Sequence, residues 1–288
     1  MIGTTGIAGS QSVNAEDLPF QHYTPKQRII AWISQHLFDW TVYTVRRGML
    51  SGLKRRGGLG WAPGFLVNNT ETREDHFLQR LADEGVFARA VVVDGGAFHG
   101  IRTLFFVRHG ATVIAYEPTG RNFRRLEQNL ILNDYAGKVN VRKVALGETS
   151  GQSTMTVSHL MPGGASLDAN ISRTILEQDA QSAGESVRIT TLDSEVEELG
   201  LAPTFIKLDI EGYELQALRG AHNTLRTHKP GLFIEMHGET MREKKSKVLA
   251  IVRFLHDEFK YHIVHVESQA VITSDNSEIA ARGHLYCT

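Results

Sequence analysis

Two short runs in the carboxyl half of the chain, IKLDIEGYE and IEMH, place ionisable residues two apart: Lys207, Asp209 and Glu211 in the first, Glu235 and His237 in the second. Side chains two apart on a strand share a face, so if both runs end neighbouring parallel strands, these five groups converge at one edge of a sheet. Gathering that much charge costs desolvation energy unless the groups pair with one another or serve chemistry. Lys207 is suited to holding an acid in place. His237, with an ordinary pKa of about 6.5, is the natural proton acceptor, and Asp209 or Glu211 would orient its ring or take the proton directly. A second chemistry is a divalent cation such as Mg2+ held by Asp209, Glu235 and His237. It ranks below direct base chemistry because the sequence has no dense ligand string such as H-x-x-x-H or D-x-D. A histidine that only caps or packs at a strand end is the plain alternative.

A second constellation lies upstream. In VVVDGGAFHG an apolar run ends at Asp94 and passes into a turn of small residues, Gly95, Gly96, Ala97 and Gly100. Such a turn lets a ligand approach the backbone and offers it helix-start N–H groups, although a plain tight turn would look the same. Spacing adds to the signal: Glu117 falls 22 residues after Gly95, near the ~20 at which an acid grips a ribose diol. Ala145, at the end of the third strand, joins the cofactor-facing set, as does Asp209. A nicotinamide site usually carries glycine where this chain has Ala97 and needs no acid before the turn. Asp94 instead suits a cofactor with an ammonium group, reached directly or through water, which points to S-adenosylmethionine.

These residues need a scaffold of strand ends, and the patterning supplies one. Apolar β-branched runs at 90–94, 112–117, 139–146, 187–192, 204–209, 231–237 and 261–266 alternate with helical stretches at 71–84, 100–109, 120–133, 213–227 and 243–259, and a last strand closes near 283–287. That alternation predicts an α/β, Rossmann-like doubly wound, mostly parallel sheet, in which ligands bind at the carboxyl ends of the strands. A Gly/Ser/Asp-rich loop is expected over 159–186, with Ser166 and Asp168 as either ligand contacts or ordinary turn residues.

Residues 1–70 read as a separate front: a loose polar arm over 1–24, then one or two amphipathic helices from Pro25, with Trp32 and Trp40 expected in buried settings. Arg46, Arg47, Lys54, Arg55 and Arg56 follow without an acid, ending in GGLGWAPG. This is either a solvated basic face or a lid that meets anions or a membrane surface. Residues 71–288 form the expected catalytic domain. The 31 Lys and Arg nearly balance 32 Asp and Glu, for a net charge of -1, which argues against a general nucleic-acid binder. The single Cys287 excludes an internal disulfide, no apolar run is long enough to span a membrane, and no signal peptide is evident, so a cytoplasmic setting is expected. Assembly into homo-oligomers is left open.

Taken together, VVVDGGAFHG, VIAYEPTGRNFRRLEQNLILN, VNVRKVALGETSGQSTMTVS, VRITTLDSEV, TFIKLDIEGYELQALRGA and KPGLFIEMH resemble, in order, the FkbM-type family of S-adenosylmethionine-dependent methyltransferases. The similarity runs from about Val91 to His237 and leaves the first 70 residues outside. It departs at GGAFHG, where the family commonly has GANxG, so Phe98 or His99 stands in place of the usual Asn. The resemblance implies the class I methyltransferase fold and methyl transfer, usually to a hydroxyl of a sugar or other natural product. A neutral hydroxyl is a poor nucleophile, and a base at His237, Asp209 or Glu211 would then contribute ~10²–10⁴-fold. A nicotinamide-dependent oxidoreductase and a non-catalytic nucleoside-binding scaffold are the competing readings.

Overall fold

The computed structural model describes residues 15–17, 25–58, 71–159 and 164–288. Most of the expected amino-terminal arm, the end of the GGLGWAPG run and residues 160–163 of the expected loop lie outside them.

The front of the chain is less helical than its periodicity suggests. Helix α1 (Pro25–Leu37) is followed by a short antiparallel hairpin, β1 (Val42–Thr44) and β2 (Lys54–Arg56), in place of a second helix. Thr41, Val42, Thr44 and Val45 explain this, because branched side chains lose rotamer freedom in a helix and fit a pleated strand. The expectation that Trp32 and Trp40 are buried fails: they are 47% and 69% exposed.

From Thr72 the main body begins. Thr72 and Asp75 form a reciprocal capping box at the start of α2 (Arg73–Asp83), which buries Phe77, Leu78 and Leu81. Strands β3 (Val91–Gly95), β4 (Thr112–Tyr116) and β5 (Val139–Arg142) are linked by α3 (Ile101–Arg108) and α4 (Gly120–Leu132). A second group follows, made of β6 (Ala145–Leu146), β7 (Gly151–Val157), β8 (Ala165–Ser166), α5 (Ala169–Gln178) and β9 (Ala183–Thr190). Then come α6 (Leu192–Leu199), β10 (Phe205–Leu208), α7 (Glu214–Arg219), α8 (His222–His228), β11 (Gly231–Glu235), α9 (Met241–Arg253), β12 (Ile263–His265) and β13 (His284–Cys287).

The central sheet runs β12-β13-β11-β10-β3-β4-β5. β3, β4, β5, β10 and β11 are parallel, and β13 is antiparallel to both of its neighbours. Alternation along the strands separates two apolar layers. Val92, Val113, Phe205 and Phe233 pack with Phe77, Leu78, Leu104 and Leu126 on one face, while Val93, Ile114, Ile206 and Ile234 pack with Leu218, Leu225, Val248 and Val252 on the other.

Three expectations are corrected. The strand expected over 139–146 splits: β5 ends at Arg142, whose guanidinium turns to Glu195 (Nε–Oε2 2.8 Å), and β6 joins a separate four-stranded sheet, β6-β9-β7-β8. The loop expected over 159–186 contains α5, because the Asp168 carboxylate caps it by accepting from the N–H groups of Asn170 and Ile171, and Ile171, Thr174 and Ile175 bury their side chains. The helix expected over 213–227 breaks at Gly220, where a Cβ would stand 1.9 Å from the Gly147 carbonyl oxygen.

Candidate active site

The carboxyl ends of β3, β4 and β10 and the second sheet line a cavity of about 180 Å³ that opens to solvent. Its lining includes Gly96, Glu117, Ala145 and Asp209 from the expected cofactor set, and Glu211. Gly96 is required there: its φ is 75°, and a Cβ would lie 1.8 Å from the Asp209 carbonyl oxygen, so only glycine lets the β3 turn close on the end of β10.

The remaining cofactor candidates stand behind this wall. The Asp94 carboxylate has no exposure; its Oδ2 accepts from the Thr103 hydroxyl (2.5 Å) and its Oδ1 faces Lys207 Nζ at 3.5 Å. It does not line the cavity, because Asp94 and Lys207 are register partners on neighbouring strands and point to the same face. Gly95 ends β3, Ala97 is part of the turn, and Gly100 is the residue before α3, packed on Leu126. The turn N–H groups expected to face a ligand are taken: those of Gly96 and Ala97 donate to the Tyr116 carbonyl, and that of Phe98 donates to Glu117 Oε2. Thr119 donates both N–H (3.0 Å) and Oγ–H (2.6 Å) to Glu117 Oε1. Burial nevertheless pushes the Glu117 pKa up against these bonds. Phe98 and His99, which replace the family's Asn, stack at 3.7 Å between centroids. Burial and then Arg55, Arg125 and Arg121 push the His99 pKa down to about 3, so its imidazole is neutral.

The acid and histidine cluster does converge. Lys207 Nζ donates to Asp209 Oδ2 at 3.1 Å. His237 Nε2 lies 3.8 Å from Asp209 Oδ1, 3.7 Å from Glu211 Oε2 and 3.7 Å from Glu235 Oε1. Its Nδ1 is 2.9 Å from Glu214 Oε1. Glu214 was not among the expected residues. It is fully buried, receives the Gly212 N–H as well, and its carboxyl is held below the ordinary range by His237 despite burial. The signal was its place in IKLDIEGYE, an acid at the first turn of a helix packed under the sheet edge.

Four carboxylates around one imidazole set its charge. Burial disfavours the imidazolium, but Glu211, Glu214 and Glu235 outweigh it and hold the His237 pKa well above its ordinary value. Glu211 is raised too, though from a different cause: burial, reinforced by Asp209, Glu235 and Glu214 and opposed by His237, pushes its carboxyl up to about 7. Glu211 also holds a left-handed backbone, φ 53°, a costly conformation for a residue with a side chain. Ser166 helps to pin it, donating its hydroxyl to the Glu211 carbonyl at 2.6 Å, while Asp168 pairs with Lys247 at 2.8 Å. Ser166 and Asp168 are thus tied into structural bonds.

For a cation, the structure groups Asp209, Glu211 and His237, with ligand atoms all within 4.8 Å of one another. Glu235, expected in that set, is shared with His284: the two are register partners on β11 and β13, and His284 Nε2 stands 3.6 Å from Glu235 Oε2. The chain of contacts continues through His284 Nδ1 to Glu267 (2.7 Å) and from Glu267 to His265 (2.9 Å).

Parallel strands, a single reversed strand at β13 and a cavity at the strand ends define the class I methyltransferase fold. The model of the methyltransferase FkbM domain matches residues 94–263, and the chain belongs to this family of S-adenosylmethionine-dependent methyltransferases. The family excludes the nicotinamide reading. Among solved structures, a methyltransferase FkbM from Methylobacillus flagellatus KT is 20% identical, over 69% of this chain and 44% of that one, with a TM-score of 0.47. The chain therefore spans less than half the length of that relative. An O-methyltransferase from Bacillus cereus in complex with SAH is 12% identical, over 77% of this chain and 82% of that one, with a TM-score of 0.43. A SAM-dependent methyltransferase from Agrobacterium tumefaciens is 10% identical, over 57% of this chain and 45% of that one, with a TM-score of 0.34. A comparison with curated proteins finds no match.

Proposed function

We propose that this chain transfers a methyl group from S-adenosylmethionine to a hydroxyl of a sugar or other natural-product acceptor. The observation that carries the reading is one cavity lined both by Glu117, the ribose-gripping acid, and by Asp209 and Glu211, with His237 directly behind them. The lining fits the cofactor: Val144, Leu146 and Met155 supply apolar walls for a purine. S-adenosylmethionine supplies a methyl carbon activated by a positively charged sulfur.

The residues divide the remaining work. Glu117 accepts hydroxyl hydrogens from the ribose, and Thr119 and Phe98 hold its two oxygens in place. Glu211 takes the acceptor proton, because a carboxyl with a pKa of about 7 is half ionised near neutrality and is a competent general base there. His237 enters as an imidazolium, so its part is to orient Glu211 and Asp209 and to steady the charge that proton transfer moves. Lys207 locks Asp209 between β3 and β10. The β1–β2 hairpin rests on α4, with Arg56 N–H donating to Asn129 Oδ1 and Asn129 Nδ2 donating to the carbonyl of His99, next to Phe98 of the cavity wall. The hairpin accordingly lies behind the Phe98 wall of the cavity, and removing residues 1–70 should lower turnover more than cofactor affinity; the reverse ranking contradicts a role on the acceptor side.

The test is methyl transfer from isotopically labelled cofactor across a panel of glycosides and free sugars, with wild type and Glu211→Gln in parallel. Label incorporation that Glu211→Gln abolishes supports the reading. Cofactor binding without incorporation on any hydroxyl acceptor favours a scaffold that keeps only the nucleoside site. The compact Asp209, Glu211 and His237 group supports one further variant, a divalent cation bound to the acceptor oxygen. A cation there must displace the His237 proton. Chelation leaves activity intact under the base mechanism, and loss restored by Mg2+ or Mn2+ assigns the cation.

A further inference from the structure

Residues 25–58 carry seven Lys and Arg against one acid, Asp39, a charge of +6 within a chain of net charge -1. That one acid is itself engaged by Arg125 at 2.6 Å. Along α1, Ile29, Trp32, Ile33, His36 and Leu37 recur at three- and four-residue spacing, and Trp40 and Val42 extend the series past its end. Such a stripe ordinarily faces a core. Here Ile29 is 61% exposed, Trp32 47%, Leu37 53%, Trp40 69% and Val42 49%. Lys26, Arg46, Arg47 and Lys54, in the same segment, are exposed too, and among the described residues none of them forms an ion pair.

We propose that α1 and the β1–β2 hairpin form a docking face for a bilayer rich in anionic phospholipid. Three features select that occupant. Exposed tryptophans beside lysine and arginine match the two chemistries of a membrane interface, an apolar boundary under a layer of phosphate charge. A second copy is a poor alternative, since pairing this face with itself would set the exposed Lys26, Arg46, Arg47 and Lys54 against their own copies. And no helix among the described residues is long and apolar enough to cross a membrane, so α1 with its 13 residues would lie in the interface plane. The inference goes beyond methyl transfer and does not depend on it.

The experiment is co-sedimentation of the full chain with vesicles of phosphatidylcholine containing about 30 mol% phosphatidylglycerol, against vesicles of phosphatidylcholine alone, near 0.1 M salt. Trp32→Ala/Trp40→Ala and Arg46→Glu/Arg47→Glu are measured alongside; all four positions are exposed, and thermal melting of both variants should match wild type. The expected result is partition onto the anionic vesicles at least ~10-fold stronger than onto the neutral ones, falling ~10-fold in each variant and weakening as salt is raised. Equal or absent binding to both vesicle types overturns the proposal, as do variants that bind like wild type. A dimer in sedimentation equilibrium that the tryptophan variant dissolves also overturns it and gives the face to a second copy.

Discussion

At Glu211 three unfavourable features meet in one residue: a left-handed backbone, a carboxyl crowded by three other acids, and a pKa lifted to about 7. Strain and crowding of this kind persist where function maintains them. Replacing the carboxylate by its neutral isostere, Glu211→Gln, should therefore lower kcat by ~10²-fold or more, leave S-adenosylhomocysteine affinity largely unchanged, and raise thermal stability slightly at pH 8. The sign follows from linkage: a carboxyl with a raised folded-state pKa loses stability as pH climbs through about 7, and the substitution removes that loss. Steady-state kinetics and melting curves read both effects, and unchanged turnover would remove Glu211 from the chemistry. The wild-type kcat should rise with pH through about 7 as Glu211 ionises, whereas a profile falling over the same range would point to an acid as the active form. At the nucleoside end, Glu117→Ala should weaken cofactor binding ~10-fold or more by calorimetry, as removal of two hydroxyl contacts implies. That Glu117 ends a strand and that Asp209, Glu211 and His237 meet at one sheet edge could be read in the sequence, because strand-end position and two-residue spacing are local. Glu214 stands in the same run, but its contact with His237 joins residues 23 apart and follows from the tertiary fold, not from local spacing. The charge state of His237 was illegible for the same reason: it reflects Glu211, Glu214 and Glu235, which three different elements contribute.

The elements divide by how local their cause is. β3, β4, β10 and β11 showed in the sequence as apolar runs because parallel strands are buried on both faces. Of the second sheet only the end of β9 showed, in the run at 187–192; its pairing with β7 did not, because both strands are mostly exposed or half-buried and draw their order from each other. The β1–β2 hairpin was hidden by apolar residues that also satisfy helical spacing, so periodicity alone could not decide it. Pairing across β11 and β13 has a measurable consequence. His284 stands between Glu235 and Glu267, and although burial opposes it, their carboxylates raise its pKa to about 9. Because the folded-state pKa lies above the unfolded one, this stabilisation is complete below about pH 6.5 and fades as pH rises through about 9. His284→Gln should therefore cost roughly 2–3 kcal/mol at pH 6, with the gap to wild type narrowing by pH 10. Denaturant titrations at the two pH values check it; a gap that does not depend on pH would mean that only packing against Phe233 was lost.

Across the whole molecule, the fold brings two distant parts of the sequence to one cavity. Glu117 ends β4 while Asp209 and Glu211 follow β10, and the two strands are separated only by β3. The order of that sheet was legible as a class, because alternating strands and helices with right-handed crossovers leave few arrangements. The roof over the cavity, Met155, Ala165 and Leu167 from the second sheet, was not legible. The central claim is that this cavity holds S-adenosylmethionine with Glu117 at its ribose, and isothermal calorimetry of S-adenosylhomocysteine binding to wild type and Glu117→Ala tests it most directly. The structure leads us to expect a single site with micromolar affinity, about -8 kcal/mol, weakened ~10-fold or more in the variant, and a melting temperature several degrees higher at about 100-fold saturation. No binding to wild type, or equal affinity in the two proteins, would contradict it.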